Sequence, residues 1–227
     1  MAGIFDEPSR KALPKNAELA DHRVAALKGA ISAIPFAGGL LAEELSMLLA
    51  TPLAQRRDDW LEDLSRRLHD LERRADGFRF EDLSNNQAFV SAAAQAAQAV
   101  VRTHAKEKRD ALRNAVLNTA LSRGGDDDRR ALFLLLAERL SPLHLRILKT
   151  LDESGGTTAR TAFSTFTNKV ALQQGIDGKM AKLVLDDLSR YELLQRTGNQ
   201  EYMTALGGRW TSAWGHDFLE FISEPVL

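Results

Sequence analysis

Apolar residues recur at helical spacing along most of the chain, and helix-breaking residues divide them into segments. From residue 17 to residue 34 they fall in steps of three and four, which predicts one helix. Pro35 ends that stripe, and Gly38 and Gly39 then indicate a tight connection. A second helix is predicted to follow, with four leucines on its inner side: Leu41, Leu45, Leu48 and Leu49. Residues 24–50 are therefore interpreted as an apolar helical hairpin, which is too interrupted for an ordinary membrane-spanning helix.

The following 70 residues predict amphipathic helices. Thr51 and Pro52 match an N-cap followed by proline at the first helical position. The helix after them has an apolar stripe of Trp60, Leu64, Leu68, Leu71 and Ala75. Ser84 and Gln87 match a capping box. Since no breaker follows before Gly124, the next segment predicts one long helix or two nearly continuous ones.

One polar stripe crosses the second half of this long segment. It consists of Thr103, Glu107, Asn114 and Asn118, which share a side of the helix. The stripe has two functional interpretations, a polar contact surface or a buried hydrogen-bond network that fixes a helix partner. A merely solvated face is the simpler interpretation. Long helices with mixed faces also favour self-association.

A polar, glycine-bearing and acidic segment at residues 123–128 predicts a domain boundary. It divides the chain into a flexible N-terminus (1–14), a helical domain (15–122), this linker and a C-terminal domain (129–227). The acidic residues also suit the positive end of the next helix, which is expected to begin near Arg129. That helix is very apolar and is expected to be buried through Leu132, Phe133, Leu135 and Leu136.

The C-terminal domain shows a change of period near its end. Ser141 and Pro142 predict a helix start, a weaker helix is predicted over residues 157–175, and a strong one over 178–191. Two short extended segments around residues 197–200 then predict a β-hairpin, and a last helix contains Trp214 and Phe218. The whole chain therefore predicts a mainly α fold, a helical bundle followed by a domain with one small hairpin.

The last 85 residues resemble bacterial winged-helix domains. The resemblance rests on the order helix, helix, recognition-type helix, wing hairpin and closing helix. The residues that carry it are Leu185, Leu188, Tyr191, Leu193, Leu194 and Arg196 before the hairpin, and Tyr202, Thr204, Leu206, Gly207 and Phe218 after it. The first half is similar only to uncharacterised bacterial helical proteins. The resemblance implies DNA binding through five basic residues: Lys179, Lys182, Arg190, Arg196 and Arg209.

The charge balance argues against that implication. The chain has a formal net charge of -1, and from residue 128 onward 12 basic residues face 12 acidic ones. Because phosphate contacts dominate DNA affinity, DNA readers usually concentrate lysine and arginine. A winged helix that contacts protein is therefore favoured over one that reads DNA.

Signatures of catalysis are missing from the sequence. There is no cysteine, which excludes thiol catalysis and cysteine-based metal sites and fits a reducing cytosol. The five histidines form no zinc-ligand pair, and neither a phosphate-binding glycine loop nor a nucleophile elbow occurs. We expect no enzyme activity, no cofactor and no metal.

The sequence thus predicts a cytoplasmic, non-catalytic interaction or regulatory protein. It is expected to self-associate through its long helices and to dock a protein partner through the winged helix. The first alternative is a DNA-binding transcriptional regulator. The second is a membrane-acting defence or toxicity effector that uses the hairpin 24–50, through Ile31, Ile34, Leu40, Leu41 and Leu45.

Overall fold

The computed structural model describes residues 40–154, 159–197, 201–205 and 208–226. These residues are mainly helical and include one small antiparallel sheet. The first half contains α1 (Leu40–Arg74), a 3-10 helix (Phe80–Asn85), α2 (Gln87–Val101) and α3 (Lys106–Ala120). The second half contains α4 (Asp127–Arg139), α5 (Pro142–Glu153), β1 (Ala159–Ala162), α6 (Phe163–Gln174), α7 (Gly178–Arg190), β2 (Arg196–Thr197), β3 (Tyr202–Ala205) and α8 (Ala213–Phe221).

Helix α1 runs without interruption through Pro52, so the predicted helix start at Thr51 and Pro52 is wrong. Proline in a helix interior removes one backbone hydrogen bond, here the one that the carbonyl of Leu48 would accept. This part of α1 is exposed, so water can take the place of the missing donor. Leu48 and Leu49 are also exposed, which corrects their predicted inner position.

The C-terminal half of α1 buries the predicted apolar stripe except for Ala75, which follows the end of the helix and is half-buried. Trp60, Leu64, Leu68 and Leu71 are all buried, which confirms the helical period. The indole Nε1 of Trp60 donates to the backbone oxygen of Arg109 at 3.1 Å, and this hydrogen bond fixes α1 to α3.

The long segment predicted after Ser84 forms two helices rather than one. Its N-cap is Asn86, whose side chain accepts from the backbone nitrogen of Phe89 at 3.0 Å, whereas Ser84 bonds back to Glu81. The break falls at residues 102–105. There the hydroxyl of Thr103 accepts from the backbone nitrogen of Ala105, a local bond that competes with helix continuation.

Helix α3 lies at the centre of the helical packing. Every residue from 111 to 120 is buried, because α2, α4, α5 and α8 all pack against this helix. Helix α2 approaches it closely through small side chains, which include Ala92, Ala93, Ala96 and Ala97.

Helix α4 is only half buried, which corrects the prediction that it is enclosed. Phe133 and Leu136 are buried, and the ring of Phe133 packs against Trp214 and Phe221 of α8. Leu132 and Leu135 are exposed, since they lie on the opposite side of the same helix.

The three strands form one sheet in the order β1–β3–β2, with both pairs antiparallel. The predicted hairpin is present as β2 and β3. Strand β1 corrects the helix predicted over 157–175, because residues 159–162 pair with β3 and the helix begins only at Phe163. The segment is a strand because it pairs with β3, which lies 40 residues later in the chain (Ala162 opposite Tyr202). The local spacing of apolar residues cannot predict pairing over such a distance.

Residues 48–227 form one compact unit, and the predicted boundary at 123–128 lies inside it. Residues 124–126 form a bend, and residues 127 and 128 already belong to α4. Helix α8 of the predicted C-terminal domain packs against α3 of the predicted N-terminal one. The division into two domains stays a prediction about independent folding.

The backbone of Gly215 in α8 lies directly against the backbone of Leu193. A Cβ at this position would overlap the backbone oxygen of Leu193. This contact sits where Ser212 caps α8 and donates its backbone N–H to the same oxygen at 3.0 Å. Gly215 therefore allows α8 to lie directly on the chain that leaves α7.

We expect Gly215→Ala to destabilise the protein by about 1–3 kcal/mol, because a methyl group at a backbone contact forces the two segments apart. Gly178→Ala is the matched control, since a Cβ there meets only the Asn168 side chain at an ordinary 3.9 Å. Urea unfolding of both variants measures the difference. Equal unfolding midpoints for the two variants would show that the absence of a side chain at Gly215 does not matter for stability.

Candidate interaction surface

The third, recognition-type helix of the predicted winged helix, α7, has a well-defined start. Asp177 caps its start by accepting from the backbone nitrogen of Met180 at 2.8 Å, and Gly175 ends α6 in the left-handed conformation just before it. Its inner face is apolar and buried through Ala181, Val184, Leu185 and Leu188. This burial fixes which side chains α7 turns outward.

The outer face of α7 combines apolar and charged side chains. Leu183 is 54% exposed and Met180 is 44% exposed. They lie three residues apart, so they are neighbours on the helix surface. The sequence pattern of this helix predicts only its inward apolar stripe, so these two residues were not expected at a binding surface. Their position outside that stripe was the available signal, since an amphipathic helix usually turns polar residues outward.

The basic residues of α7 are mostly neutralised by acids of the same helix. Lys182 pairs with Asp186 at 2.5 Å, and Arg190 pairs with Asp187 at 3.1 Å. Lys179 is exposed and has no ion pair with any residue that the structure describes. Of the predicted DNA contacts on α7, one lysine is thus left without an acidic partner.

The remaining predicted DNA contacts lie near the hairpin. Arg196 is on β2, and its side chain is outside the described part of the chain, while Arg209 is half-buried. A further cation that the sequence analysis did not single out, Arg160 of β1, stacks over the ring of Tyr202 with its guanidinium carbon 3.9 Å from the ring centroid. This cation–π contact holds the Arg160 guanidinium against the neighbouring strand β3.

Asn114 and Asn118 of the predicted polar stripe face the protein interior. Asn114 Nδ2 donates to the backbone oxygen of Ile222 at 3.0 Å, and Asn118 Nδ2 donates to those of Phe221 and Ser223 at 2.8 and 2.9 Å. The solvated-face interpretation is therefore wrong for these two residues. Glu107 is exposed and Thr103 half-buried, so the stripe is not one continuous outer surface.

The residues predicted for membrane insertion lie at the edge of the described chain or beyond it. Ile31 and Ile34 are outside the described residues. Leu40, Leu41 and Leu45 lie on α1, where their side chains are outside the described part. None of the helices described here has both the length and the apolar character that crossing a bilayer requires.

A half-buried histidine joins α5 to α7. His144 completes the capping box of α5. Its Nδ1 lies 2.6 Å from the hydroxyl of Ser141 and accepts from the backbone nitrogen of Ser141 at 3.4 Å. On the other side of the ring, Nε2 lies 3.6 Å from a carboxylate oxygen of Asp187. The tautomer protonated at Nε2 suits both sides, because Nδ1 then accepts and Nε2–H points toward the acid.

Burial lowers the pKa of His144 below its ordinary value of 6.5, and the charge of Asp187 only partly opposes this shift. The nearby ammonium group of Lys108 lowers the pKa further. Lys108 is itself buried, and its pKa is lowered by burial, although it donates to the backbone oxygens of Glu138 and Leu140. The neutral form of His144 is therefore the one that the folded protein favours.

No protein-family model, curated protein or solved structure matches this chain. Among the described side chains there is no group of histidine, aspartate and glutamate that could hold a metal ion.

Neutral His144 predicts a pH-dependent stability. Because its pKa is lower in the folded protein than the unfolded value of 6.5, its contribution is complete above pH 6.5. That contribution is lost as the pH falls from 6.5 through the folded pKa. We expect His144→Gln, which keeps a capping-box residue at this position, to remove part of the loss of stability between pH 7 and pH 5.

Urea unfolding at the two pH values measures this effect. The wild type and His144→Gln share every other histidine, so the variant isolates the contribution of His144. An equal loss of stability in the two proteins would contradict the assignment.

Proposed function

We propose that this chain is a non-catalytic interaction protein, whose residues 142–221 form a winged-helix-like module that docks a protein partner through the outer face of α7. The order of α5, α6, α7, the β2–β3 hairpin and α8 supports the winged-helix-like assignment. Strand β1 adds to that support, because it pairs with β3 and holds the hairpin beside the helices.

The exposed apolar pair on α7 is the observation that carries the proposal. Met180 and Leu183 lie on the outward face of α7, next to Lys179 and Lys182, in the helix that the resemblance would place against DNA. Apolar side chains gain free energy when another apolar surface removes them from water, and a phosphate backbone offers no such surface. A partner protein with a shallow apolar groove fits this face.

The charges around that pair are suited to a protein rather than to nucleic acid. Asp186 and Asp187 are only half-exposed, but they place two carboxylates on the helix that would approach phosphate groups. Both acids pair with the basic side chains of α7 that DNA binding would need. A mixed charged border around an apolar centre is the usual composition of a protein interface.

The proposal is tested by placing the photo-crosslinking residue p-benzoylphenylalanine at Leu183 of the full chain in its native cells. The matched control places it at Leu48, which is exposed on α1. We expect a defined protein to be crosslinked from position 183 and not from position 48. Once that protein is purified, Met180→Asp and Leu183→Asp should each weaken binding at least about tenfold, while Leu48→Asp should not.

The DNA-binding alternative is tested by fluorescence anisotropy with mixed duplex DNA at low salt. We expect no binding by the wild type. Salt-sensitive binding that Lys179→Ala or Lys182→Ala weakens would overturn the protein-docking proposal in favour of the regulator, because only phosphate recognition depends on those charges in this way.

A further inference from the structure

Helix α4 exposes a second apolar stripe, separate from the face of α7. Asp128, Leu132, Leu135 and Arg139 are all exposed, and they follow one another in steps of four, three and four residues. This spacing places them in one line along the helix. Leu132 is 52% exposed and Leu135 is 36% exposed, whereas Phe133, Leu134, Leu136 and Ala137 on the other side are buried.

The two charged ends of this stripe are unusual on α4. The other ionic side chains of the helix have partners: Asp127 pairs with Arg130, Arg129 with Asp217, and Glu138 with Arg102. Asp128 and Arg139 make no ion pair with any of the described residues. The stripe therefore presents one free acid at its start, two leucines in its middle and one free base at its end.

The stripe is complementary to itself. Its midpoint falls between residues 133 and 134, so reversing the direction of the helix exchanges Asp128 with Arg139 and Leu132 with Leu135. Two copies of α4 placed antiparallel across a two-fold axis would bring each acid opposite a base and each leucine opposite a leucine. Such an isologous contact is the commonest arrangement in protein dimers.

We propose that this chain forms a two-fold symmetric dimer through antiparallel α4 helices, with Asp128 of each copy facing Arg139 of the other around four central leucines. A parallel arrangement would place each acid against its own counterpart, so the charges select the antiparallel one. This surface replaces the buried long helices as the site of self-association, and it is independent of the docking proposed for α7.

The border of the stripe is suited to such a contact. Beside α4 lies a groove of about 320 Å³, lined partly by Gln87, Ser91 and Gln95 of α2. These polar side chains would form the rim of the interface, where hydrogen bonds and water are usual. Since one helix stripe buries less surface than a permanent dimer needs, the association is expected to be reversible.

Sedimentation equilibrium of the full chain over a range of concentrations measures the dimer. We expect reversible dimerisation of the wild type. Leu132→Asp and Leu135→Asp should each weaken dimerisation at least about tenfold, because each removes two leucines from the interface and introduces two charges there. Leu172→Asp, at an exposed leucine of α6, is the matched control and should leave the dimer unchanged.

Charge reversal tests the geometry of the dimer. Asp128→Arg and Arg139→Asp should each weaken self-association by about threefold to tenfold, since like charges then face each other twice. An equimolar mixture of the two single variants should recover dimerisation as a heterodimer, and so should the double variant with itself. Circular dichroism verifies that each variant keeps its helix content.

A wild type that is monomeric at every concentration would overturn the proposal. A dimer that ignores Leu132→Asp and Leu135→Asp would place self-association on another surface, and would overturn it as well. Charge variants that weaken the dimer but do not recover in the mixture would exclude the antiparallel pairing. None of these outcomes affects the crosslinking from Leu183, so the two proposals fail separately.

Discussion

The enclosure of α3 is the constraint on which the rest of the described structure depends. Where the helix is enclosed, from residue 111 to residue 120, a polar side chain needs a partner inside the protein, because an unpaired buried polar group costs about 1–3 kcal/mol. Helix α3 carries several: Lys108, Arg113, Asn114 and Asn118 are all buried. Lys108 donates to the backbone oxygens of Glu138 and Leu140, and the two asparagines donate to the last carbonyls of α8. The last carbonyls of any helix lack partners within it, so α3 supplies side-chain donors to the C-terminal ends of both α4 and α8.

Arg113 connects α3 to a third helix, α1. Its guanidinium lies 2.7 Å from Asp63 of α1 and 2.9 Å from Asp110 of its own helix. Burial alone would raise the pKa of Asp63, but the hydrogen bond and charge of Arg113, helped by Arg66, outweigh burial and hold that pKa below its ordinary value. The carboxylate therefore stays charged in the folded protein. One central helix thus sets the positions of α1, α4 and α8 through directional bonds, in addition to apolar packing.

The sequence predicted those elements whose stabilising contacts are periodic. The stripe from Trp60 to Leu71, the start of α5 at Ser141 and the hairpin follow local rules of spacing, capping and turn chemistry. Prediction from the sequence failed where contacts with a residue far away in the chain determine the local structure. Strand β1 exists because β3 pairs with it, and the amides of Asn114 and Asn118 are buried because the end of α8 needs donors. The exposure of Leu132 and Leu135 was not predicted for the same reason. Residues 131–137 are all apolar, so their pattern does not show which side of the helix the neighbouring helices leave uncovered.

The outer surfaces follow from the same central arrangement. Because bonds from α3 and the aromatic contacts of Phe133 hold α4, its rotation about its own axis is fixed, and Leu132 and Leu135 have to face outward. Burial of Leu185 and Leu188 fixes α7 in the same way and leaves Met180 and Leu183 in water. An exposed leucine on a helix that could rotate would be weak support for a binding surface, since a small turn would bury it. On a helix held by directional bonds or by a packed face, exposure is a property of the fold itself, and for this reason the exposed leucines of α4 and the exposed apolar pair of α7 support binding surfaces.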